Sequence, residues 1–173
     1  MRASLAKAVR RAFDERFARE VPEFKLSKET RLAPECRLYE SHRTERLVFF
    51  LVLNIHRTED AFTFEVAWTK NGKWPEGHVP LPHALEVDSP SGEMRLRIGL
   101  LWSAQMDYWW ELAPRPSTMG LLPPEGLWEK ISNPPPIEEA LAKVEPQVSD
   151  AMGRIREWAL PYFERVAAAQ RSS

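Results

Sequence analysis

The sequence predicts an α+β fold in which an N-terminal helix and a C-terminal helix pack on one face of an antiparallel sheet. Residues 4–20 and 137–166 carry apolar side chains at three- and four-residue spacings, the pattern of amphipathic helices. The chain between them breaks into short runs of alternating or continuous apolar residues, as strands do. No internal repeat or low-complexity linker divides it. We therefore expect a single α+β domain over residues 1–173.

The first predicted helix, residues 4–20, begins at Ser4, which is suited to cap the N-terminus, and ends before Pro22. Its apolar stripe consists of Leu5, Val9, Ala12, Phe13 and Phe17. Its polar side carries an excess of basic residues, namely Lys7, Arg10, Arg11, Arg16 and Arg19. These could contact an anionic partner, but acidic residues dilute the charge and no base-reading motif accompanies it. A solvated helix face is the better interpretation.

A meander of strands is predicted next, because strands adjacent in sequence usually pair in space. Residues 24–26 and 36–38 alternate apolar with polar side chains, which is typical of short, half-buried strands. Residues 46–55 form a continuous apolar run that is too short for a typical helix, which indicates a central strand covered on both faces. Residues 62–68 alternate again and form its hairpin partner.

The most informative stretch of the chain is residues 93–112. Apolar side chains alternate with polar ones over residues 94–101, which predicts a further strand with Arg97 on its polar face. An aromatic segment with one carboxylate follows and contains Asp107, Tyr108, Trp109 and Trp110.

Prolines shape the rest of the chain. Pro146 and Pro161 interrupt the pattern of the C-terminal helix, so we expect a broken or bent helix and not one straight rod. Prolines also crowd into residues 74–90 and 113–136, which predicts long extended loops.

Composition narrows the function classes. The chain has 24 Lys and Arg against 25 Asp and Glu, so its formal net charge of -1 argues against a surface built to neutralise phosphates. The single cysteine cannot form an intramolecular disulfide, and no leader sequence is evident, so we expect a cytoplasmic protein. The longest apolar run, residues 47–53, is too short to span a bilayer as a helix. We expect no membrane partner, and the oligomeric state is left open.

Two groups of side chains are candidates for a binding site. Arg97 and Asp107 could form a charge-assisted contact that orients a ligand, although a structural salt bridge at a strand end is the simpler interpretation. Trp109 and Trp110, with Tyr108 and Trp102 and beside the proline-rich loop that carries Trp128, could form an aromatic platform for a base, a sugar or a partner's side chain. Tryptophan equally serves as a large core residue. Because adjacent residues of a strand point to opposite sides, at most one of Trp109 and Trp110 should face the core.

Catalytic and cofactor motifs are missing from the sequence. It contains no Gly-x-Ser-x-Gly elbow, no phosphate-binding glycine loop and no His-Glu-x-x-His helix. His78 and His83 near Asp88 fit no structural zinc spacing. Cys36 alternates on an apolar strand face, where a thiol behaves as a small hydrophobe, and His56 is most simply a surface histidine. We therefore expect no cofactor and no metal.

The order Arg-Ile-Gly at residues 97–99 and Asp-Tyr-Trp-Trp at residues 107–110 resembles an uncharacterised bacterial family known as a domain of unknown function. Its members are also similar to this chain in an opening amphipathic helix, a meander and a closing helix with a proline before an aromatic, here at residues 161–163. The resemblance covers nearly the whole chain and rests on one distinctive stretch. It implies a bacterial cytoplasmic α+β domain and brings no activity. The proline-rich insertion at residues 121–136 departs from the family's pattern.

These observations predict a non-catalytic domain that binds another protein, as a bacterial inhibitor or immunity-type partner does. The prediction combines the missing catalytic motifs with a tryptophan excess and long loops, where binding residues concentrate. One alternative is a hydrolase or nucleic-acid-acting enzyme that uses Asp107 with a histidine from residues 78–83. Another is a structural subunit of a larger assembly, which a broad exposed apolar patch would indicate.

Overall fold

The computed structural model describes residues 3–28, 32–75, 87, 92–103, 108–112 and 136–171. Within these ranges, helix α1 (Ala3–Glu20) precedes an antiparallel sheet, and a long helix follows it. The strands are β1 (Lys25–Leu26), β2 (Cys36–His42), β3 (Val48–Ile55), β4 (Ala61–Thr69), β5 (Glu93–Arg97) and β6 (Trp110–Glu111). The predicted α+β fold is confirmed.

The sheet is the predicted meander with one addition. Strands β1 to β5 pair in sequence order and β3 lies in the middle, as the continuous apolar run indicates. The short strand β6 joins the same edge of β4 that β5 occupies. Strand β5 pairs with residues 65–69 of β4, whereas β6 pairs with Ala61 and Phe62 at its beginning. Strand β4 therefore pairs with both the beginning and the end of the stretch 93–112.

One face of the sheet, the helix face, carries the main core. Alternate residues of β3 and β4 point into it, because side chains of a strand alternate between its two faces. The Phe13 ring of α1 meets the rings of Phe62 and Phe64 edge-on, with centroids 5.3 and 5.0 Å apart. Phe49 stacks on Phe163 of the C-terminal helix at 4.6 Å. Such aromatic pairs bury large apolar areas in preferred geometries, so both helical regions are fixed to the same face.

The opposite face, the outer face, is also largely buried. Its apolar part consists of Leu38, Val48, Phe50, Val52 and Ala67. Strand β3 is thus covered on both faces, as its sequence predicts. The face becomes polar toward one end, where Asn54, Thr63 and Glu65 lie on neighbouring strands.

The predicted strand over residues 94–101 is wrong in its second half. Strand β5 ends at Arg97, and Ile98–Leu101 form a 3₁₀ helix. Residues three apart in a 3₁₀ helix lie on the same side, so Ile98 and Leu101 can both pack against the core, which strand alternation forbids. Gly99 accordingly does not lie on a strand face. The turn redirects the chain toward β6.

The C-terminal helix consists of α2 (Ile137–Arg154), a π-helical segment (Ile155–Ala159) and α3 (Leu160–Arg171). Neither proline breaks it: Pro146 lies inside α2, and Pro161 is the second residue of α3, which begins directly after the π-helical segment. Proline lacks an N–H and crowds the preceding turn. For Pro161, the crowded turn is the π-helical one. In this wider turn the Leu160 N–H donates to the Ile155 carbonyl. Among the described helices, none is long and apolar enough to cross a membrane.

Candidate functional site

The segment 108–112 places two neighbouring tryptophans on opposite sides of the sheet. Trp110 is paired with Phe62, is 3% exposed and stacks on the Phe62 ring at 5.4 Å. Its indole Nε1–H donates to the Asp150 carboxylate of α2 at 2.7 Å. Trp110 is therefore a core residue that links the sheet edge to the C-terminal helix.

Trp109 lies toward the outer face and is only partly buried. The His56 ring meets it edge-on at 5.1 Å, and the Arg97 guanidinium lies 5.7 Å from its ring centroid. The Thr63 hydroxyl donates to the Tyr108 carbonyl at 2.6 Å, which fixes the backbone just before the tryptophan. Of the residues that the sequence singles out, Arg97 and Trp109 are thus brought together, and Trp110 is separated from them.

Glu65 positions Arg97. Its carboxylate is 4% exposed and lies across from Arg97 in the register of β4 and β5. It accepts a hydrogen bond from Arg95 Nε at 2.6 Å and pairs with Arg97 Nη1 at 3.3 Å. A buried carboxylate is tolerated only when it is paired. The Trp74 ring also contacts this network, since its centroid lies 4.9 Å from the Arg95 guanidinium.

Two pockets meet at Trp109. The acidic pocket, about 430 Å³, is lined by Tyr108, Trp109, Trp110, Glu111, Pro146, Gln147 and Asp150. The mixed pocket, about 340 Å³, is lined by Glu35, Cys36, Asn54, Ile55, His56, Arg57, Arg97 and Trp109. The partly exposed indole of Trp109 therefore has carboxylates on one side and both signs of charge on the other.

The mixed pocket contains a thiol, but its surroundings disfavour nucleophilic chemistry. Burial, together with the charges of Glu35 and Glu65, raises the pKa of Cys36 above its ordinary value, and its Sγ contacts Asn54 Oδ1 at 2.9 Å. The thiolate is the reactive form, so a raised pKa lowers reactivity at neutral pH. The His56 Nδ1 accepts the backbone N–H of Glu59 at 3.0 Å. Cys36 also packs against the apolar cluster of the outer face, as its alternation predicts.

Several candidate residues lie outside the described part of the chain. They are Asp107 and Trp128 of the predicted binding surface and His78, His83 and Asp88 of the weighed metal site. The pairing of Arg97 with Asp107 therefore stays a prediction. Within the ranges that the structure covers, no group of three or more His, Cys, Asp or Glu side chains could hold a metal ion.

Three of the basic residues of α1, namely Arg11, Arg16 and Arg19, are engaged in ion pairs. Arg11 pairs with Glu15, and Arg16 pairs with both Glu20 and Glu145 of α2. Hydrogen bonds from Arg19 and Arg16 hold the pKa of Glu20 below its ordinary value. Charges that are already paired along and between helices offer little net field to a polyanion, which agrees with the interpretation of this side as an ordinary helix surface.

Four residues of the site are not distinguished by the sequence: His56, Glu65, Gln147 and Asp150. Of these four, only Glu65 could have been found from the sequence. A single carboxylate in an alternating apolar strand requires a cationic partner, and Arg95 and Arg97 lie two residues apart on the polar face of β5. The roles of His56, Gln147 and Asp150 depend on where β6 joins the sheet, which no local pattern indicates.

No protein-family model, curated protein or solved structure matches this chain. The resemblance to an uncharacterised bacterial family stays a prediction.

Proposed function

We propose that this chain is a non-catalytic domain that binds another protein through Trp109, Arg97 and the two pockets beside them. The observation that carries the proposal is the division of the two tryptophans. Trp110 already serves the core, whereas Trp109 is partly exposed beside Arg97 and His56. Tryptophan and arginine are the residues most enriched at the energetic centres of protein interfaces.

Contacts within the chain position the side chains of the site, which supports recognition by a preformed surface. Glu65 holds the Arg97 guanidinium, and Thr63 holds the backbone carbonyl of Tyr108. Side chains that are already fixed lose less conformational freedom on binding, so more of the contact energy contributes to affinity.

The arrangement of charges around Trp109 supports binding to a specific partner and not nonspecific binding. Glu111 and Asp150 line one pocket, and Glu35, Arg57 and Arg97 line the other. An interface with both signs in fixed places favours the partner with the complementary arrangement and penalises others. A bacterial cytoplasmic inhibitor or immunity-type protein is the specific form of the proposal.

Neither alternative function gains support from the described residues. The enzyme hypothesis depends on Asp107 and on histidines at residues 78–83, which lie outside them, and burial raises the pKa of the described thiol of Cys36. A structural subunit would show a broad exposed apolar patch. In the portion of the chain with known placement, Leu26 is the one large hydrophobic residue that is exposed.

The proposal predicts that Trp109→Ala strongly weakens partner capture while the protein stays folded. Tagged wild type, Trp109→Ala and Trp158→Ala are incubated with extract of the source organism, and each co-purifying protein is quantified per bait. Trp158, a partly buried tryptophan in the π-helical segment, is the matched control. Loss of a hot spot costs about 2 kcal/mol, so capture by Trp109→Ala should fall about 30-fold.

Circular dichroism of each variant establishes that it is folded. Undiminished capture by folded Trp109→Ala would contradict the proposal, and so would equal loss in Trp158→Ala. Trp110→Ala is unsuitable for this assay because its indole lies in the core.

A further inference from the structure

His56 closes the hairpin turn between β3 and β4, residues 56–60, through both its side chain and its backbone. Its Nδ1 accepts the backbone N–H of Glu59 at 3.0 Å, and its own backbone N–H donates to the Ala61 carbonyl at 2.9 Å. A ring nitrogen can accept a hydrogen bond only when it carries no proton. His56 is therefore the neutral imidazole in this structure, with its proton on Nε2.

A second proton on the ring is incompatible with this form of the turn. Both ring nitrogens of a charged imidazole are donors, so the contact with the Glu59 N–H would bring two donors together. The Thr58 hydroxyl lies 3.4 Å from Nδ1 and can accept a hydrogen bond as well as donate one. Thr58 therefore offers the charged ring an acceptor if the ring turns away from the Glu59 N–H.

Two contacts couple the turn 56–60 to the segment that carries Trp109. The His56 ring meets the Trp109 ring edge-on, with centroids 5.1 Å apart. The Leu112 N–H donates to the Asp60 carbonyl at 2.7 Å, which joins the end of that segment to the turn. A change in the orientation of the His56 ring therefore reaches the indole on which the binding surface depends.

Charged groups of both signs lie on the segments packed around the ring. Two arginines oppose a further positive charge on His56, and four carboxylates favour it. They are Glu35, Arg57, Glu59, Asp60, Arg97 and Glu111. Burial raises the pKa of the neighbouring Cys36 thiol above its ordinary value, and arginine stays charged, whereas histidine changes its charge between about pH 5 and pH 8. In that range His56 is the group at this place whose charge changes.

We infer that His56 is a proton-dependent switch: its neutral form holds Trp109 in place, and its protonation releases Trp109 and weakens partner binding. Side chains that are fixed in advance lose less freedom on binding, so a released indole binds less tightly. The inference rests on the proposed function, since it states how binding at the surface around Trp109 is regulated.

The first test follows the free wild-type protein, labelled with ¹⁵N, by NMR between about pH 8 and pH 5. At the higher pH, the ring nitrogen signals of His56 should show an unprotonated Nδ1 and a protonated Nε2. The Trp109 indole N–H and the Glu59 backbone N–H should then change in one step, with the midpoint of the His56 ring. An unprotonated Nε2 at the higher pH, or a Trp109 signal that does not follow His56, would overturn the inference. This measurement needs no variant.

Two variants assign the step to His56. His56→Asn keeps a side-chain acceptor for the Glu59 N–H but cannot take up a proton, so its Trp109 signal should show no step. His42→Asn is the matched control, because His42 is an exposed histidine at the opposite end of β3 and lies near Glu40. It should leave the step unchanged. A step that persists in folded His56→Asn would contradict the switch.

Capture of the partner at two pH values separates this inference from the proposed function. Between about pH 7.5 and pH 5.5, capture by wild type should fall about fivefold or more, and capture by His56→Asn should fall less. Capture that depends on Trp109 but falls equally in wild type and His56→Asn, or in neither, overturns the switch and leaves protein binding intact. A Trp109 step that follows His56 without any capture that depends on Trp109 overturns the protein partner and leaves the proton-dependent change of Trp109.

Discussion

At the scale of single residues, Glu65 is the most consequential side chain for the site. It is the one charged residue of β4, and its neighbours in the strand, Phe64 and Val66, belong to the main core. Its carboxylate joins Arg95 to Arg97 on the outer face. The position of Arg97 beside Trp109 therefore depends on a charge that the fold can bury only because it is paired.

We expect Glu65→Gln to destabilise the protein by about 3 kcal/mol, because removal of one partner leaves partly buried arginine charge without compensation. Urea denaturation measures the free energy of unfolding. Glu164→Gln is the matched control, since Glu164 is 58% exposed and pairs with Arg43 on the surface. Exposed pairs contribute about 0–1 kcal/mol. A Glu65→Gln variant as stable as the control would show that the ion pairs of Glu65 with Arg95 and Arg97 do not stabilise the fold.

At the scale of elements, a buried phenol joins α1 to the sheet. The Tyr39 hydroxyl of β2 donates to Asp14 Oδ1 at 2.8 Å, and Arg37 pairs with the same carboxylate at 3.1 Å. Burial, reinforced by the charge of Asp14, raises the pKa of Tyr39 far above 10.0. Burial likewise raises the pKa of Tyr162 to about 12.

These shifts predict that stability falls as the pH rises above 10.0, the ordinary pKa of both phenols. Between that pH and the higher pKa of the folded state, the folded protein keeps a proton that the unfolded chain loses, so rising pH favours unfolding. Tyr39→Phe should reduce this slope while costing about 1 kcal/mol at pH 7 for the lost hydrogen bond. Urea midpoints from pH 8 to pH 11 measure both. An unchanged alkaline slope in Tyr39→Phe would refute the assignment to Tyr39.

Elements with long, regular patterns are predictable from the sequence, and short elements are not. Helix α1 and strand β4 follow from periodicity because their apolar residues recur through several turns or alternations, and strand β3 follows from its long continuous apolar run. The 3₁₀ helix at Ile98–Leu101 and strand β6 span too few residues for a period to appear. The π-helical segment leaves the i, i+3, i+4 pattern nearly intact, so the sequence indicates irregularity near Pro161 but not its form.

At the scale of the whole molecule, the fold follows from the sequence more fully than the site does. The meander and the helices on one face arise from local pattern and chain order. The site arises where β6 meets α2 and where Glu65 meets Arg97, which are contacts between parts of the chain far apart in sequence. Alternation predicts that the two adjacent tryptophans differ, but only the pairing of Trp110 with Phe62 decides which one is buried.

The most direct test of this account compares the free energies of unfolding of Trp109→Ala and Trp110→Ala. Trp110 lies in the core, so its removal should cost about 3–5 kcal/mol, as large core truncations do. Trp109 is partly exposed, and its removal should cost about 1 kcal/mol or less. If Trp109→Ala proves as destabilising as Trp110→Ala, then Trp109 is a core residue and the proposed binding surface does not exist.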